Sequence, residues 1–390
     1  MSDPSPTFDI PKECWAGVVP SSHKSDKVKQ KNEGPDFYVE VEKIPVPEIG
    51  PQDVLIKLNA TGLCLSDIHY MLNDWAMPSM SHFGVKCAGH EGAGVIVQVG
   101  DQVKNLKVGQ RAGFKPIQDV CHSCEYCRTG KETYCTKAVL TGIHCDGTYK
   151  QYVVSPENYT TLIPDGVSDY VAGPVMCSAS TIYTSLKESE LKPGQWAVFP
   201  GGGGGVGIQG VQLAAAMGLR PIVVDTGDER RKLTLSLGAE EFVDFKEGDP
   251  VKKVQELTDG GAHGVFVTAV QSYPISLGYL GMRAGAKVMC IGIPPAGKHH
   301  IDLDPTALVF RGQQLRGTLV SSMADVDETL DFARRGKLHY HLIHIPATDT
   351  VVVKSRLTLR EGKLHLEPTV VGLSKFNEAV QKLKNGQVAG

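Results

Sequence analysis

Six glycines crowd into the seven residues Gly201 to Gly207, with only Val206 among them. Each glycine loses the most backbone freedom on ordering, so taken alone such a run reads as a loop. By itself it is compatible with a merely flexible linker. Its flanks say otherwise. Trp196-Ala-Val-Phe-Pro200 reads as a short buried strand, and Ile208 to Met217 as a helix with apolar residues at Ile208, Val211, Leu213, Ala215 and Ala216. Gly218 supplies a C-terminal stop. Pro221-Ile-Val-Val-Asp225 then reads as a second buried strand ending in an acid. Strand, glycine turn, helix, strand, acid is the order of a dinucleotide-binding unit, with Gly202, Gly204 and Gly207 as its G-x-G-x-x-G positions and Gly205 and Val206 inside the turn. The glycines allow backbone to approach a pyrophosphate, and the helix N-terminus offers N–H groups to its charge. Asp225 stands where a carboxylate accepts ribose hydroxyls and repels a 2'-phosphate, which predicts NAD over NADP. Arg230 is the nearby cation that sits against the adenosine ribose or tolerates a phosphate.

Cys121, Cys124, Cys127 and Cys135 form C-x2-C-x2-C-x7-C in one short polar stretch. Two disulfides or four idle thiols are the plain alternatives. Four thiolates this close can also wrap a tetrahedral zinc ion, and a site closed by four protein sulfurs holds structure only. The N-terminus carries neither a basic region with an apolar run nor an Arg-rich amphipathic pattern, so a reducing cytoplasmic setting is expected, and there metal is the commoner use of such a cluster.

The length of 390 residues accommodates two ordinary domains. A net charge of −3 gives no electrostatic case for nucleic acid or an anionic membrane. No apolar run approaches the roughly 20 residues of a bilayer span. Neither nucleic acid nor a membrane is expected as a partner.

A second set of zinc-type ligands is scattered: Cys64-Leu-Ser-Asp-Ile-His69, Gly89-His90-Glu91-Gly92-Ala93-Gly94, and Pro174-Val-Met-Cys177-Ser-Ala-Ser-Thr181. Singly, His90 and Cys177 would be packed core. With the cysteine run and the glycine turn, in this order, the chain resembles the zinc-dependent medium-chain alcohol dehydrogenases, most nearly their fungal and bacterial tetrameric branch. The resemblance runs from about Trp15 to Arg335 and resumes near Thr369.

That resemblance implies the following. Cys64, His90 and Cys177 hold a catalytic zinc with its fourth position open, Cys121, Cys124, Cys127 and Cys135 hold a structural one, and the cofactors are zinc, two per subunit, and NAD. Asp67 orients the ligand histidine and Glu91 lies beside the metal. Ser66 takes the alcohol proton and His69, otherwise readable as a surface histidine, passes it to solvent. Thr181 contacts the nicotinamide side. Zinc acts as a Lewis acid toward the alcohol, and hydride passes to the nicotinamide. The implied fold is α/β: a Rossmann-type doubly wound parallel-sheet domain plus a discontinuous, GroES-like, mainly antiparallel β catalytic domain. The boundaries are 1–177 for the catalytic domain, 178–320 for the NAD domain and 321–390 for the return segment. Strand-like runs Val265 to Val270 and Lys287 to Ile293 fit the parallel sheet. A homotetramer is implied as well. Cys14, Cys87, Cys145 and Cys290 have no metal role.

The chain departs from the family in places. Leu65 stands where an Arg or His commonly meets the pyrophosphate, and the sequence ends at Gly390 before a further arginine, so weaker NAD binding is expected. Gly336-Lys-Leu-His339 recurs as Gly362-Lys-Leu-His365, marking an insertion near 337–365 in which Leu357 to Leu366 reads as a surface hairpin about Glu361-Gly362. It is either a tolerated insertion or an error of gene structure such as retained noncoding sequence. Beyond it, Ser374 reads as the N-cap of a helix with Phe376, Val380 and Leu383 on one face and Gly386 behind. Trp75 matches a pocket wall. Pro116 stands where an aromatic residue usually lines the same pocket, so primary alcohols in a somewhat roomy site are expected. The alternatives are a related polyol or aldehyde oxidoreductase, a relative disabled by the insertion and short C-terminus, and a non-enzymatic protein using the cysteines as a zinc knuckle.

Overall fold

The computed structural model describes residues 6–19, 39–338, 351–360, 363–372 and 376–384. Before the glycine turn the chain is mostly strand: β1 (Glu13–Val18), β2 (Glu40–Pro45), β3 (Asp53–Gly62), β4 (Gly92–Val99), β5 (Arg111–Phe114), β6 (Ile117–Asp119), β7 (Val139–Leu140), β8 (Tyr152–Pro156) and β9 (Thr161–Leu162). In β3 the exposed Lys57 and Asn59 alternate with buried Ile56, Leu58 and Ala60, the period of a strand with one face on a core. It is the spine of the catalytic sheet, pairing antiparallel with both β4 and β8.

After the turn come β10 (Trp196–Pro200), β11 (Arg220–Asp225), β12 (Glu241–Asp244), β13 (Gly264–Val267), β14 (Lys287–Cys290) and β15 (Gln314–Gly317). All pair in parallel, in the order β12-β11-β10-β13-β14-β15. This is the doubly wound order, whose direction reverses between β10 and β13, where such sheets bind their ligand. Val198, Phe199, Ile222, Val223, Val265 and Phe266 are buried, as a sheet covered on both faces requires.

The runs expected at Val265 to Val270 and Lys287 to Ile293 both end sooner than the sequence predicts. β13 stops at Val267 because the Thr268 and Ala269 N–H groups turn to the Pro200 carbonyl beside the glycine turn. A 3-10 segment, Val270–Leu280, follows. β14 stops at Cys290, whose ladder partner Gly317 ends β15.

The last strands, β16 (Val351–Arg360) and β17 (Lys363–Gly372), pair antiparallel and meet at Arg360 and Lys363, so the hairpin runs further on both sides than Leu357 to Leu366. Among the described residues, Val351 to Val353 join the sheet of β3, alongside Ala60 to Gly62. Thr369 to Gly372, expected to resume the family pattern, belong to the second arm of this hairpin. The closing helix Phe376–Lys384 is present with Phe376, Ala379 and Val380 buried, while Ser374, Gly386 and the Glu361-Gly362 turn lie outside the described residues. Phe376 packs edge-on against Tyr149, ring centroids 4.4 Å apart, and so ties the helix to the catalytic domain. No helix among the described residues is long and apolar enough to cross a membrane.

Candidate active site

Cys64 caps the N-terminus of the helix Leu65–Leu72, which places Ser66 and Asp67 in its first turn and His69 in its last. Asp67 is fully buried and accepts four hydrogen bonds. Its Oδ1 takes His90 Nδ1–H at 2.6 Å and the Gly89 N–H at 3.1 Å; its Oδ2 takes the Tyr149 hydroxyl at 2.6 Å and the Cys64 N–H at 3.2 Å. A carboxylate only accepts, so His90 carries its proton on Nδ1 and keeps Nε2 for a metal. Gly89, at φ +97°, admits no side chain, since a Cβ there would lie 2.5 Å from Thr148 Oγ1.

Cys177 arrives from another direction, inside a five-residue π turn, Val175–Ala179, between the helices Asp169–Pro174 and Ser180–Ser189. Such wide turns recur at functional positions because they re-aim one side chain within a continuous helix. The ligand atoms of Cys64, His90, Glu91 and Cys177 all lie within 4.8 Å of one another. The Cys64 thiol is held well below its ordinary range, first by the hydrogen bond from Cys177. Burial and then the Cys64 charge push Glu91 well up, and its Oε1 is buried without a partner. Two sulfurs and one imidazole fit an open zinc site with a carboxyl beside it.

In the cysteine lobe, the Sγ atoms of Cys121 and Cys124 lie 3.9 and 3.5 Å from that of Cys127, and the four sulfurs fall within 4.8 Å of one another. With Zn–S at about 2.3 Å, a regular tetrahedron has edges of about 3.8 Å, so the spacing fits one zinc ion. The Cys124 and Lys137 N–H groups point at Cys121 and Cys135 Sγ. All ten cysteines are free of disulfides. Among those without a metal role, burial pushes Cys87 and Cys145 up to about 12.

The glycine turn closes on itself. A Cβ on Gly207 would meet the Gly201 carbonyl and Gly202 Cα at 2.5 Å, and one on Gly202 would meet Val223 at 2.8 Å. Gly204 caps the helix Gly205–Ala216, so the N–H groups of Gly205, Val206 and Gly207 have no acceptor within the helix. Asp225 ends β11 nearly buried, taking the Gly203 N–H at 2.9 Å and Arg230 Nη1 at 2.6 Å. The Arg230 stem lies against Gly203, where a Cβ would meet it at 2.8 Å. Thr181 Oγ1, one turn past Cys177, is buried without a partner.

Residues 50–165 match the model of the alcohol dehydrogenase GroES-like domain, and residues 205–335 that of the zinc-binding dehydrogenases. An alcohol dehydrogenase of Schizosaccharomyces pombe is 39% identical over 301 residues, 76% of this chain and 84% of the relative. Alcohol dehydrogenase 1 of Neurospora crassa is 34% identical over 388 residues, 99% of this chain and 98% of the relative. The chain belongs to the zinc-dependent medium-chain alcohol dehydrogenases. A cinnamyl alcohol dehydrogenase of Sorghum bicolor, 23% identical, shares the fold with a TM-score of 0.76, covering 97% of this chain and 96% of that one.

Within this alcohol dehydrogenase the structure brings in residues that sequence reasoning missed. Tyr149 and Gly89 complete the setting of Asp67, and Asp74 Oδ1 lies 2.8 Å from His69 Nδ1. A hydroxyl or carboxylate far along the chain gives no local signal. Asp74 does have one, since it directly follows Asn73, whose left-handed conformation (φ 51°, ψ 44°) ends the helix. Trp75 stacks on His69 with ring centroids 5.1 Å apart, beside a small cavity lined also by Met77, Pro78, Met80 and Ile143. Pro116, expected in the same pocket, does not line this cavity. It is buried beyond β5, where its carbonyl accepts the Thr141 N–H and fixes the start of the cysteine lobe.

Proposed function

We propose that this dehydrogenase oxidises primary alcohols reversibly to aldehydes, with hydride transfer to NAD, at a site held by Cys64, His90 and Cys177. The reading rests on the convergence of those three ligands, from three distant segments, to within 4.8 Å of one another. When bound there, zinc supplies Lewis acidity toward the substrate oxygen. The protein's residues do the rest. Asp67 holds His90 in orientation, Ser66 receives the hydroxyl proton and His69 passes it to water. Thr181 Oγ1, unpartnered and buried, contacts the nicotinamide side, and the first-turn N–H groups of Gly205, Val206 and Gly207 take the pyrophosphate. Asp225 accepts the adenosine ribose hydroxyls once Arg230 moves aside, and its charge disfavours a 2'-phosphate. Cys121, Cys124, Cys127 and Cys135 hold the second zinc. Residues 1–177 and 321–390 form the catalytic domain and 178–320 the NAD domain, in a cytoplasmic homotetramer.

The test is NADH formation by the zinc-loaded protein across primary alcohols, with Cys177→Ala alongside. Turnover that disappears in the variant is expected. A protein that holds two zinc ions per chain yet makes no NADH with any alcohol would overturn the reading.

A further inference from the structure

The helix Leu65–Leu72 ends in a way that bears on the chemistry of its last turn. Left-handed Asn73 reverses the chain, the Asp74 N–H returns to the His69 carbonyl at 3.4 Å, and the Asp74 side chain folds back onto His69 Nδ1 at 2.8 Å. Both side chains are mostly shielded, His69 at 12% and Asp74 at 25% exposure, and Trp75 covers one face of the imidazole. From the nucleotide-binding side, the Ala296 N–H donates to the Asp74 main-chain carbonyl at 3.1 Å, so the Asp74 backbone is held from both halves of the molecule.

We propose that Asp74 is a positioning residue for proton transfer: it holds His69 in the Nδ1–H tautomer, which leaves Nε2 as the nitrogen that receives the substrate proton. This rests on the relay role given to His69 above. A carboxylate can only accept, so the Asp74 bond fixes the Nδ1 hydrogen and makes Nε2 the basic atom. The alcohol gives its hydride to NAD and its hydroxyl proton, by way of Ser66, to Nε2. The imidazolium that forms faces the Asp74 carboxylate, and the same proton leaves Nε2 for water while the Nδ1 hydrogen stays in place.

The test combines nitrogen NMR of histidine-labelled protein with kinetics of Asp74→Ala, Asp74→Asn, His69→Gln and the double variant His69→Gln/Asp74→Ala. Loss of one signal in His69→Gln assigns the resonance. The parent is expected to show Nδ1–H at His69, and Asp74→Ala to shift the ring toward Nε2–H. Asp74→Ala should lower kcat roughly tenfold to a hundredfold, the range seen for groups that orient a functional histidine, with alcohol KM little changed. Asp74→Asn, whose amide oxygen still accepts from Nδ1, should recover most of the rate. The double variant should be no slower than His69→Gln. An Nε2–H ring in the parent, or losses that multiply in the double variant, would overturn the proposal. If His69→Gln turns over like the parent, the relay reading falls and takes the proposal with it; if His69→Gln is slow but Asp74→Ala is not, the proposal alone falls.

Discussion

At the scale of single residues, the ligand histidine is oriented by one buried carboxylate whose four hydrogen bonds are in place before any ligand binds. Asp67 is the centre of this, and Tyr149 is its most exposed dependency in the sense of mutation: Tyr149→Phe keeps the ring against Phe376 and removes only the hydroxyl on Asp67 Oδ2. Leaving a buried carboxylate short of a partner costs about 1–3 kcal/mol, and loosening the group that orients a ligand histidine weakens metal binding by roughly tenfold or more. Tyr149→Phe is therefore expected to unfold at lower urea and to release one of its two zinc ions sooner to a chelator. Unchanged zinc release would count against Asp67 as the orienting group. Lys115 is a different case. Its ammonium is buried over the Tyr159 ring, 3.9 Å from the centroid, and burial lowers its pKa to about 7. The unfolded chain keeps that proton up to the ordinary lysine range, so between about pH 7 and 10 it binds one proton more than the folded chain. Stability then gains up to about 1.4 kcal/mol per pH unit from this group as pH rises. Lys115→Met should remove that contribution, so the difference between the two urea midpoints should shrink as pH rises from 7 to 9. Parallel curves would show that the amine stays protonated in the folded protein.

At the scale of elements, what could be read in the sequence follows from how local the information is. The glycine turn, its two strands and its helix were legible because every constraint lies within one βαβ unit, down to Gly207, where no side chain fits. The cysteine lobe was legible for the same reason. Cys64, His90 and Cys177 were not, except through the family pattern, because a ligand set assembled from three distant segments has no local period. The π turn that aims Cys177 could not be read at all, since Val175 to Ala179 look like ordinary helix. The lobe also does more than close on itself: Tyr134 Oη donates to the Gly317 carbonyl, and Glu132 Oε1 accepts from the Met323 N–H at 3.0 Å, at the start of the helix Met323–Arg334. Removing its metal should therefore disturb the contact between domains as well as the lobe. Cys124→Ser is expected to bind one zinc per chain instead of two and to lose its thermal transition several degrees below the parent, with the catalytic zinc still present. Two zinc ions in the variant, by metal analysis, would sink this assignment.

At the scale of the whole molecule, the hairpin of β16 and β17 is the feature that sits least naturally on the family fold. Among the described residues, ten pairs hold its two arms to each other, while three, Val351 to Val353 with Ala60 to Gly62, hold it to the catalytic sheet. Its stability is thus mostly its own, and a two-stranded ribbon has little of that in water. On the reading that an insertion lies near 337–365, the recurring Gly-Lys-Leu-His brackets it, so deletion of residues 340–365 joins His339 to Leu366 and leaves a single copy. Phe376, Ala379 and Val380, which anchor the last helix, and Tyr149 beneath them are untouched by the deletion. Because the length of a connecting segment changes its closure cost only slowly, the shortened chain should fold with both zinc ions, melt within a few degrees of the parent and turn over alcohol at least as fast. Metal analysis, a thermal scan and NADH formation on the two proteins decide it. An aggregated or zinc-poor deletion variant would mean that the three pairs on β3 close an edge the catalytic sheet cannot leave open.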